Sequence, residues 1–441
     1  MLNIYKAKPK ASLLGKTLNF DIDNSDYEVQ GISKHQQKIV FVAAALPGEQ
    51  VQAKVVEDKA GFIRAQTVNV ITPSPLRIAP PCVYANVCGG CQLQHLSPES
   101  QRELKLKGVD ALIRHQTNLT QLPWQPMLES AATGYRRRAR IGIWYDKKQR
   151  RFDIGFRRQA DKQIVAVEHC MVLSEPLSPV FNVLQQVLPQ LKDPAAVTHA
   201  EVLLAEQLPF VILRHIRPLS ASDRQLFVDA WPQAIWLGEA EQGQFSYWQQ
   251  DVIPEYPLAD QGLRLQFSPD DFIQVNAGLN QQMVNQALDW LQVNADDTVL
   301  DLYAGIGNFT LALAQRAKTV RAVEGVAKMV QQLATNAKLN GLSNVEAYQA
   351  DLHLSWPKAS WNTPEYTKVL LDPARAGAAG ATEQIIKLKP AQILYVSCNA
   401  ATFARDAKIL LQSGYRLHKI SGVDMFTHTN HLELMALFSR S

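Results

Sequence analysis

From Thr298 onward the chain alternates short apolar runs with helix-like segments: TVLDLYAG, TVRAVEG, TKVLLD and AQILYVSC are each followed by one. Parallel strands need a crossover between neighbours, and helices supply it while covering both faces of the sheet. The pattern therefore dictates an α/β region, a parallel sheet wound with helices on both sides. GYRLHKISGVDMF and LELMALFSR close the chain with two further strands. Open sheets of this kind bind ligands beyond the carboxyl ends of their strands. The residues that follow each strand are thus the first candidates for chemistry.

A chain of 441 residues is too long for a single core, and two or three domains are expected. Between Thr17 and Ile71 the strands TLNFDID, KIVFVAA, VQAKVV and IRAQTVNVI are broken by Gly31, by LPGE at Leu46 to Glu49, and by Gly61. This predicts a small closed β-barrel, a module that serves protein adaptors as often as RNA binders. TPSPLRIAPPC is a proline-rich connection, placing a boundary near residue 75. PESQRELKLKGVDALIRHQ then reads as a helix, and EVLLAE and FVILRHI as strands ahead of a helix that Ser222 is placed to cap. Leu173 to Gly262 carries no recognisable chemistry.

The net charge of +4 is too small to imply a nucleic-acid partner by itself. Its distribution is more informative. Tyr135 to Arg158 interleaves Arg136, Arg137, Arg138, Arg140, Lys147, Lys148, Arg150, Arg151, Arg157 and Arg158 with Tyr135, Trp144, Tyr145, Phe152 and Phe156. Such a stretch suits phosphate neutralisation and base stacking, and equally a hairpin of ARIGIWYD on RFDIGFRR with a solvated basic face. Five cysteines without a leader-like start argue for a cytoplasmic protein without a disulfide framework. The longest apolar runs fall well short of the roughly 20 residues that span a bilayer.

Asp301-Leu-Tyr-Ala-Gly305-Ile-Gly307-Asn308 ends a strand and opens a helix, with glycines that let the backbone turn close to a ligand. Glu324 ends the next strand, where a carboxylate can accept ribose hydroxyls. Asp351 ends the third, within reach of an adenine amino group. An NAD fingerprint wants a third glycine where Asn308 and Phe309 stand. S-adenosylmethionine is the better fit.

Cys398 follows ILYVS and precedes the helix-like ATFARDAKILL. A lone cysteine is ordinarily an apolar filler; at a strand's carboxyl end and a helix N-terminus its thiol is activated. A thiol beside a methyl donor suits pyrimidine C5 methylation. Thiolate addition at C6 makes C5 nucleophilic, and a base must later remove the C5 proton. HTNHLE supplies Glu433 as that base, with His428 and His431 nearby. Separately, Cys82-x5-Cys88-x2-Cys91 with distant Cys170 forms a ligand-like set, which spacing alone leaves open between zinc and iron–sulfur.

LDPARAGAAG, YVSCNA, DMFTHTNHLE, FIQVN and DLYAGIGN together resemble the RNA uracil-C5 methyltransferases. CVYANVCGGCQLQH and a barrel similar to the TRAM module, with LPGE its best-matching part, narrow the likeness to the branch acting on bacterial 23S rRNA. The resemblance spans essentially the whole chain. It implies a Rossmann-like S-adenosylmethionine-dependent methyltransferase domain with an N-terminal OB-like TRAM β-barrel and a central α+β domain carrying an iron–sulfur cluster. The implied divisions are 1–74 for the barrel, 75–92 with 125–262 for the central domain, and 93–124 with 263–441 for the methyltransferase domain. It implies donor contacts at Gln274, Tyr303, Asn308, Glu324, Asp351 and Asp372, with Cys398 as nucleophile and Glu433 as base. It resolves the cysteine set to a 4Fe-4S cluster on Cys82, Cys88, Cys91 and Cys170, with Gly89 and Gly90 letting the backbone wrap it and present N–H groups. The expected product is 5-methyluridine in 23S rRNA, made by a monomer with no membrane partner. Methylation of another rRNA or tRNA uridine, or a non-catalytic iron–sulfur RNA-binding protein, are the alternatives. A cytosine-C5 enzyme is disfavoured, because RNA cytosine enzymes usually carry a second working cysteine and no further one remains. The chain departs from the family pattern at Ala400 and Thr427, where proline is common, and at Ala304, where cysteine is. The first two positions bear on how tightly the loops around Cys398 and Glu433 are held.

Overall fold

The computed structural model describes residues 12–159, 161–354, 356, 361–363 and 365–440; residues 1–11, where the expected barrel stretch begins, lie outside them. The chain divides into two compact units, 1–81 with 92–111, and 82–91 with 112–441.

In the first unit, six strands between Thr17 and Thr72 form one sheet. It curls round a core of Phe20, Val40, Val42, Val51, Val55 and Ile63. Its two edge strands, Thr17–Asp21 and Asn24–Ser25, do not pair with each other among the described residues. They run on from one another through Ile22 and Asp23, where Ile22 N donates to Glu49 O at 2.9 Å and Asp23 N to Ile32 O at 3.0 Å, so the bent segment Thr17–Ser25 pairs on both sides and closes the expected barrel through backbone hydrogen bonds. LPGE has a local purpose. Its Glu49 is buried, accepts from Leu46 N at 2.8 Å, and binds the Arg77 guanidinium through both oxygens. Burial opposes ionisation of Glu49, but Arg77 and the backbone donors overcome it and hold the carboxyl below its ordinary range. PESQRELKLKGVDALIRHQT is helical from Pro98 to Thr117. Gly108 is needed there because a Cβ would sit 2.5 Å from the Asp26 carbonyl oxygen.

The second unit contains two seven-stranded sheets. One is built around the pairing of Arg138–Asp146 with Arg151–Arg157, and the basic segment is indeed a hairpin, with Tyr145 opposite Phe152. Alternate residues Ala139, Ile141 and Ile143 face a core shared with the helices Val180–Val187 and Ala221–Ala230. The second helix is capped by Ser220, not Ser222. Ser220 Oγ accepts from Asp223 N while the Asp223 carboxylate accepts from Ser220 N, a reciprocal box that Ser222, already inside the helix, cannot make.

The other sheet comprises β1 (Thr298–Leu302), β2 (Thr319–Glu324), β3 (Val345–Gln349), β4 (Lys368–Leu371), β5 (Gln392–Ser397), β6 (Tyr415–Val423) and β7 (Glu433–Arg440). Its order is β3-β2-β1-β4-β5-β7-β6, with β7 antiparallel to both neighbours. This is the doubly wound arrangement with a terminal hairpin. Leu302 pairs with Leu371, Leu371 with Tyr395, and Ser397 with Leu434. The carboxyl ends of β1, β4 and β5 therefore meet the start of β7 along one edge. No helix among the described residues is long and apolar enough to cross a membrane.

Candidate active site at the carboxyl edge of the sheet

Strand register decides what lies together at this edge. Because Ser397 faces Leu434, Cys398 and Glu433, each one residue further out, are neighbours. Asp372 follows β4 at the same edge, and its charge acts on the Cys398 thiol and on the Glu433 carboxyl. Cys398 precedes the helix Ala400–Gln412, whose N-cap Asn399 accepts from Ala401 N and Thr402 N. Ala400 is buried in the first turn. The Asn399 side chain thus starts this helix, with Ala400 in place of the proline that the resemblance led one to expect.

Electrostatics at this edge run one way. Burial, with Asp372 adding to it, pushes Glu433 up to about 8, and its Oε2 is buried with no hydrogen-bond partner. Burial alone raises Asp372 to about 7. The Cys398 thiol is pushed up to about 11 by burial and then by Glu433 and Asp372, with Arg375 pulling the other way. Arg375 itself meets His431 at 3.1 Å.

The glycine-rich turn lies beside this trio. Tyr303 takes a left-handed backbone (φ 61°), uncommon for a residue with a side chain and a mark of local constraint. Its hydroxyl is buried without a partner, and burial followed by Asp406, Asp351 and Glu324 raises its pKa. Glu324 accepts from Gly305 N at 3.0 Å and Val326 N at 2.9 Å, pinning the turn while leaving carboxylate lone pairs free. Asp351 is exposed and accepts from His353 N. Asp301 is different from these two acids. It is buried under the following helix, accepts from Thr310 Oγ1 at 2.5 Å, and is raised to about 7 chiefly by burial.

Asn308 is largely committed inside the protein. It exchanges bonds with Asn280 at 2.8 and 2.9 Å and accepts from Tyr256 Oη at 3.0 Å, which leaves one amide N–H. Gln274 is partly buried, and its carbonyl accepts from Arg137 Nε at 2.8 Å. Arg137 in turn stacks 4.5 Å over Tyr256, so Gln274 and Asn308 are joined through that pair. Tyr256 and Asn280 had no sequence signal of their own, and Arg375 only its place in LDPARAGAAG; the fold brings them here.

The loop of Cys82, Cys88 and Cys91 lies along the end of the basic hairpin, with Cys88 bridged to Arg158 and Gly89 N donating to Arg157 O at 2.9 Å. Burial raises the Cys88 and Cys170 thiols, and the charges of Cys82 and Cys170 raise Cys88 further. Cys82, Cys88 and Cys170 thus act on one another's ionisation. Among the described residues, no three His, Cys, Asp or Glu side chains converge closely enough to hold a single metal ion. The two glycines divide their work. A Cβ at Gly89 would sit 3.0 Å from Arg157 O, so its close approach is to the neighbouring strand and its N–H is spent there. Gly90 N points to sulfur, at 3.4 Å from Cys88 Sγ.

Of the basic run, Arg136, Arg137 and Arg138 turn inward. Arg136 stacks on Phe426, Arg137 is buried, and Arg138 binds Glu201 and the Asp271 and Pro269 carbonyls. Arg140, Lys147, Lys148, Arg150, Arg151, Arg157 and Arg158 are exposed.

Sequence and fold comparisons agree with this architecture. The family profile described as tRNA (Uracil-5-)-methyltransferase matches residues 101–351 and 359–441, and the TRAM domain profile matches 11–68. The chain is 44% identical to the 23S rRNA (uracil(1939)-C(5))-methyltransferase RlmD of Photorhabdus laumondii, over 95% of each protein. It is 42% identical to the protein of the same name from Aeromonas hydrophila, over the full length of both. The crystal structure of Pyrococcus abyssi tRNA (uracil-54, C5)-methyltransferase, solved with S-adenosyl-L-homocysteine, shares the fold with a TM-score of 0.72 at 22% identity, covering 96% of this chain and all of that one. With the family profile spanning most of its length and such relatives end to end, the chain belongs to the uracil-C5 RNA methyltransferase family.

Proposed function

We propose that this chain transfers the methyl group of S-adenosylmethionine to C5 of a uridine in 23S rRNA, giving 5-methyluridine. The observation that carries the reading is the meeting of Cys398, Glu433 and Asp372 at the sheet edge that also bears the glycine-rich turn. Glu324 and Asp351 would hold ribose hydroxyls and the adenine amino group, with Tyr303, Gln274, Asn308 and Asp372 completing the donor's contacts. The donor supplies an electrophilic methyl when bound. Cys398, as thiolate, adds to uracil C6 and drives the ring electrons onto the O4 enolate. C5 then takes the methyl as its bond to sulfur breaks. Glu433 removes the C5 proton, the C5–C6 double bond re-forms, and the thiolate leaves. A carboxyl raised to about 8 is a stronger base than an ordinary glutamate, which suits that last step.

Extruding the base from folded RNA costs a few kcal/mol. The exposed cations between Arg140 and Arg158 are available to offset that cost by phosphate contact, whereas the inward Arg136 to Arg138 are not. The cysteine set supports a 4Fe-4S cluster on Cys82, Cys88, Cys91 and Cys170. In a cluster each thiolate takes its own iron, and an all-sulfur donor set with Gly90 N–H on sulfur suits that chemistry. Such a group, when bound, would brace the basic hairpin; C5 methylation itself needs no electron transfer.

A tRNA substrate is the second reading, favoured by the tRNA (Uracil-5-)-methyltransferase profile and by the tRNA-specific name of the Pyrococcus abyssi enzyme. Incubating the full chain with methyl-labelled donor and either 23S rRNA or tRNA separates them. Label recovered as 5-methyluridine in 23S rRNA is expected. Label confined to tRNA would replace the substrate, and none in either would overturn the activity.

A further inference from the structure

Asp406 lies two turns into the helix that starts behind Cys398 and is fully buried. A buried carboxylate is costly unless surrounded by donors. Here Oδ1 accepts from Arg405 Nε at 2.8 Å, and Oδ2 accepts from Tyr395 Oη at 2.7 Å and Ala378 N at 2.8 Å. Ala378 belongs to the loop DPARAGAAG that carries Asp372 and Arg375. The same helix touches that loop at each neighbouring residue. Thr402 Oγ1 donates to Arg375 O at 3.3 Å, and Arg405 Nη2 donates to Ala376 O at 3.0 Å. Gly377, at φ 74°, approaches so closely that a Cβ would lie 2.7 Å from Asp406 Oδ2. With the Arg405 side chain 43% exposed, its ion pair with Asp406 contributes little to stability. What this one adds is direction, because its hydrogen-bond partners outside the helix are Tyr395, on the strand ending at the nucleophile, and the backbone of this loop.

We propose that Asp406 is a positioning residue that, with Tyr395 and Arg405, fixes the Asp372–Arg375 loop against the nucleophile-bearing strand and helix. The proposal rests on the reading of Cys398 as nucleophile. It acts through Arg375, whose charge favours the Cys398 thiolate while Glu433 from β7 and Asp372 from the loop oppose it, and whose guanidinium meets His431 at 3.1 Å. Asp406→Asn keeps the shape but sets an NH2 against either Arg405 or the Ala378 N–H, and so releases the loop.

The test is the pH profile of Cys398 alkylation in the full-length protein, read by peptide mass mapping to separate it from the other cysteines. Asp406→Asn is expected to move the profile upward by about 1 pH unit, as Arg375 draws away. Arg375→Ala should move it similarly, and the double variant no further than either alone. Turnover on RNA should fall about tenfold with KM for RNA within twofold. A profile superimposing on the parent's, or additive shifts in the double variant, would overturn the proposal. Should Asp406→Asn not fold, Tyr395→Phe removes one hydroxyl and is expected to give a smaller shift in the same direction; no shift there overturns it equally. Alkylation needs neither RNA nor donor, so this result is independent of whether Cys398→Ala abolishes methylation.

Discussion

The loop holding Cys82, Cys88 and Cys91 and the strand end holding Cys398 present the same functional group in similar, partly buried settings. Burial raises thiols in both places. What differs is the company. Around Cys88 the charges that oppose ionisation are other thiols, so each deprotonation makes the next harder and only a polyvalent cationic centre would draw all four protons off. Around Cys398 they are two carboxyls, themselves raised, with Arg375 opposing them. That set keeps a single thiol protonated, against the activation expected of a helix N-terminus, and puts a carboxyl beside it that can serve as a base. A cysteine's task is thus read from the chemistry of its neighbours, not from its burial.

The contrast between the two thiol settings is most exposed at Cys398. Cys398→Ala is expected to cost at least ~1,000-fold in methylation, the loss expected when a covalent route is removed, while donor binding measured by calorimetry stays within twofold. Retained turnover would end the nucleophile assignment. Next is Glu433→Gln, which should slow release and let a covalent protein–RNA adduct accumulate, with turnover down ~100-fold or more. The parent's rate should climb through pH 8 as Glu433 ionises, and the variant's should lose that limb. Stability follows the same proton. A folded carboxyl raised from 4.5 to about 8 contributes most below pH 4.5 and loses that contribution as pH rises through 8. Glu433→Gln should therefore melt higher than the parent at pH 9, with the difference shrinking below pH 4.5. Cys88→Ala is expected to be milder and different in kind. Iron and sulfide would be lost, KM for RNA would rise about tenfold, and the Cys398 alkylation profile would not move. Stoichiometric zinc with no sulfide in the parent would reverse the cluster assignment.

The parts of the fold legible in the sequence are those written locally. Alternation of apolar β-runs with helices, and acids directly after strands, place the sheet and its edge, because both depend on residues a few positions apart. The pairing of ARIGIWYD with RFDIGFRR is legible for the same reason. Three things are not. The inward turn of Arg136 to Arg138 depends on partners such as Phe426 and Asp271, far along the chain. Asn308 is held by Asn280 and Tyr256, and no spacing rule connects those positions. Gly89 reads in the sequence as a glycine for a cluster and is a glycine for the Arg157 strand, since a one-residue pattern cannot say which backbone comes close.

The smallest effect concerns a residue between the two thiol regions. Tyr135, whose pKa is raised by burial and, in small part, by the charges of Cys91 and Cys170, donates its hydroxyl to the Thr427 carbonyl at 2.9 Å. Thr427 is fully buried, and its own hydroxyl donates to Asp424 Oδ2 at 3.0 Å in the turn leading to Glu433. The threonine stiffens this turn with a hydrogen bond. Thr427→Val keeps the volume and the carbonyl but removes the donor to a buried carboxylate, costing about 1–3 kcal/mol. The Tyr135 bond survives, so iron content and RNA affinity should hold while turnover falls a few-fold through Glu433. A loss of iron in Thr427→Val would mean that the two regions are coupled through this turn, and the contrast between scaffold thiols and reacting thiol would give way to a single connected site.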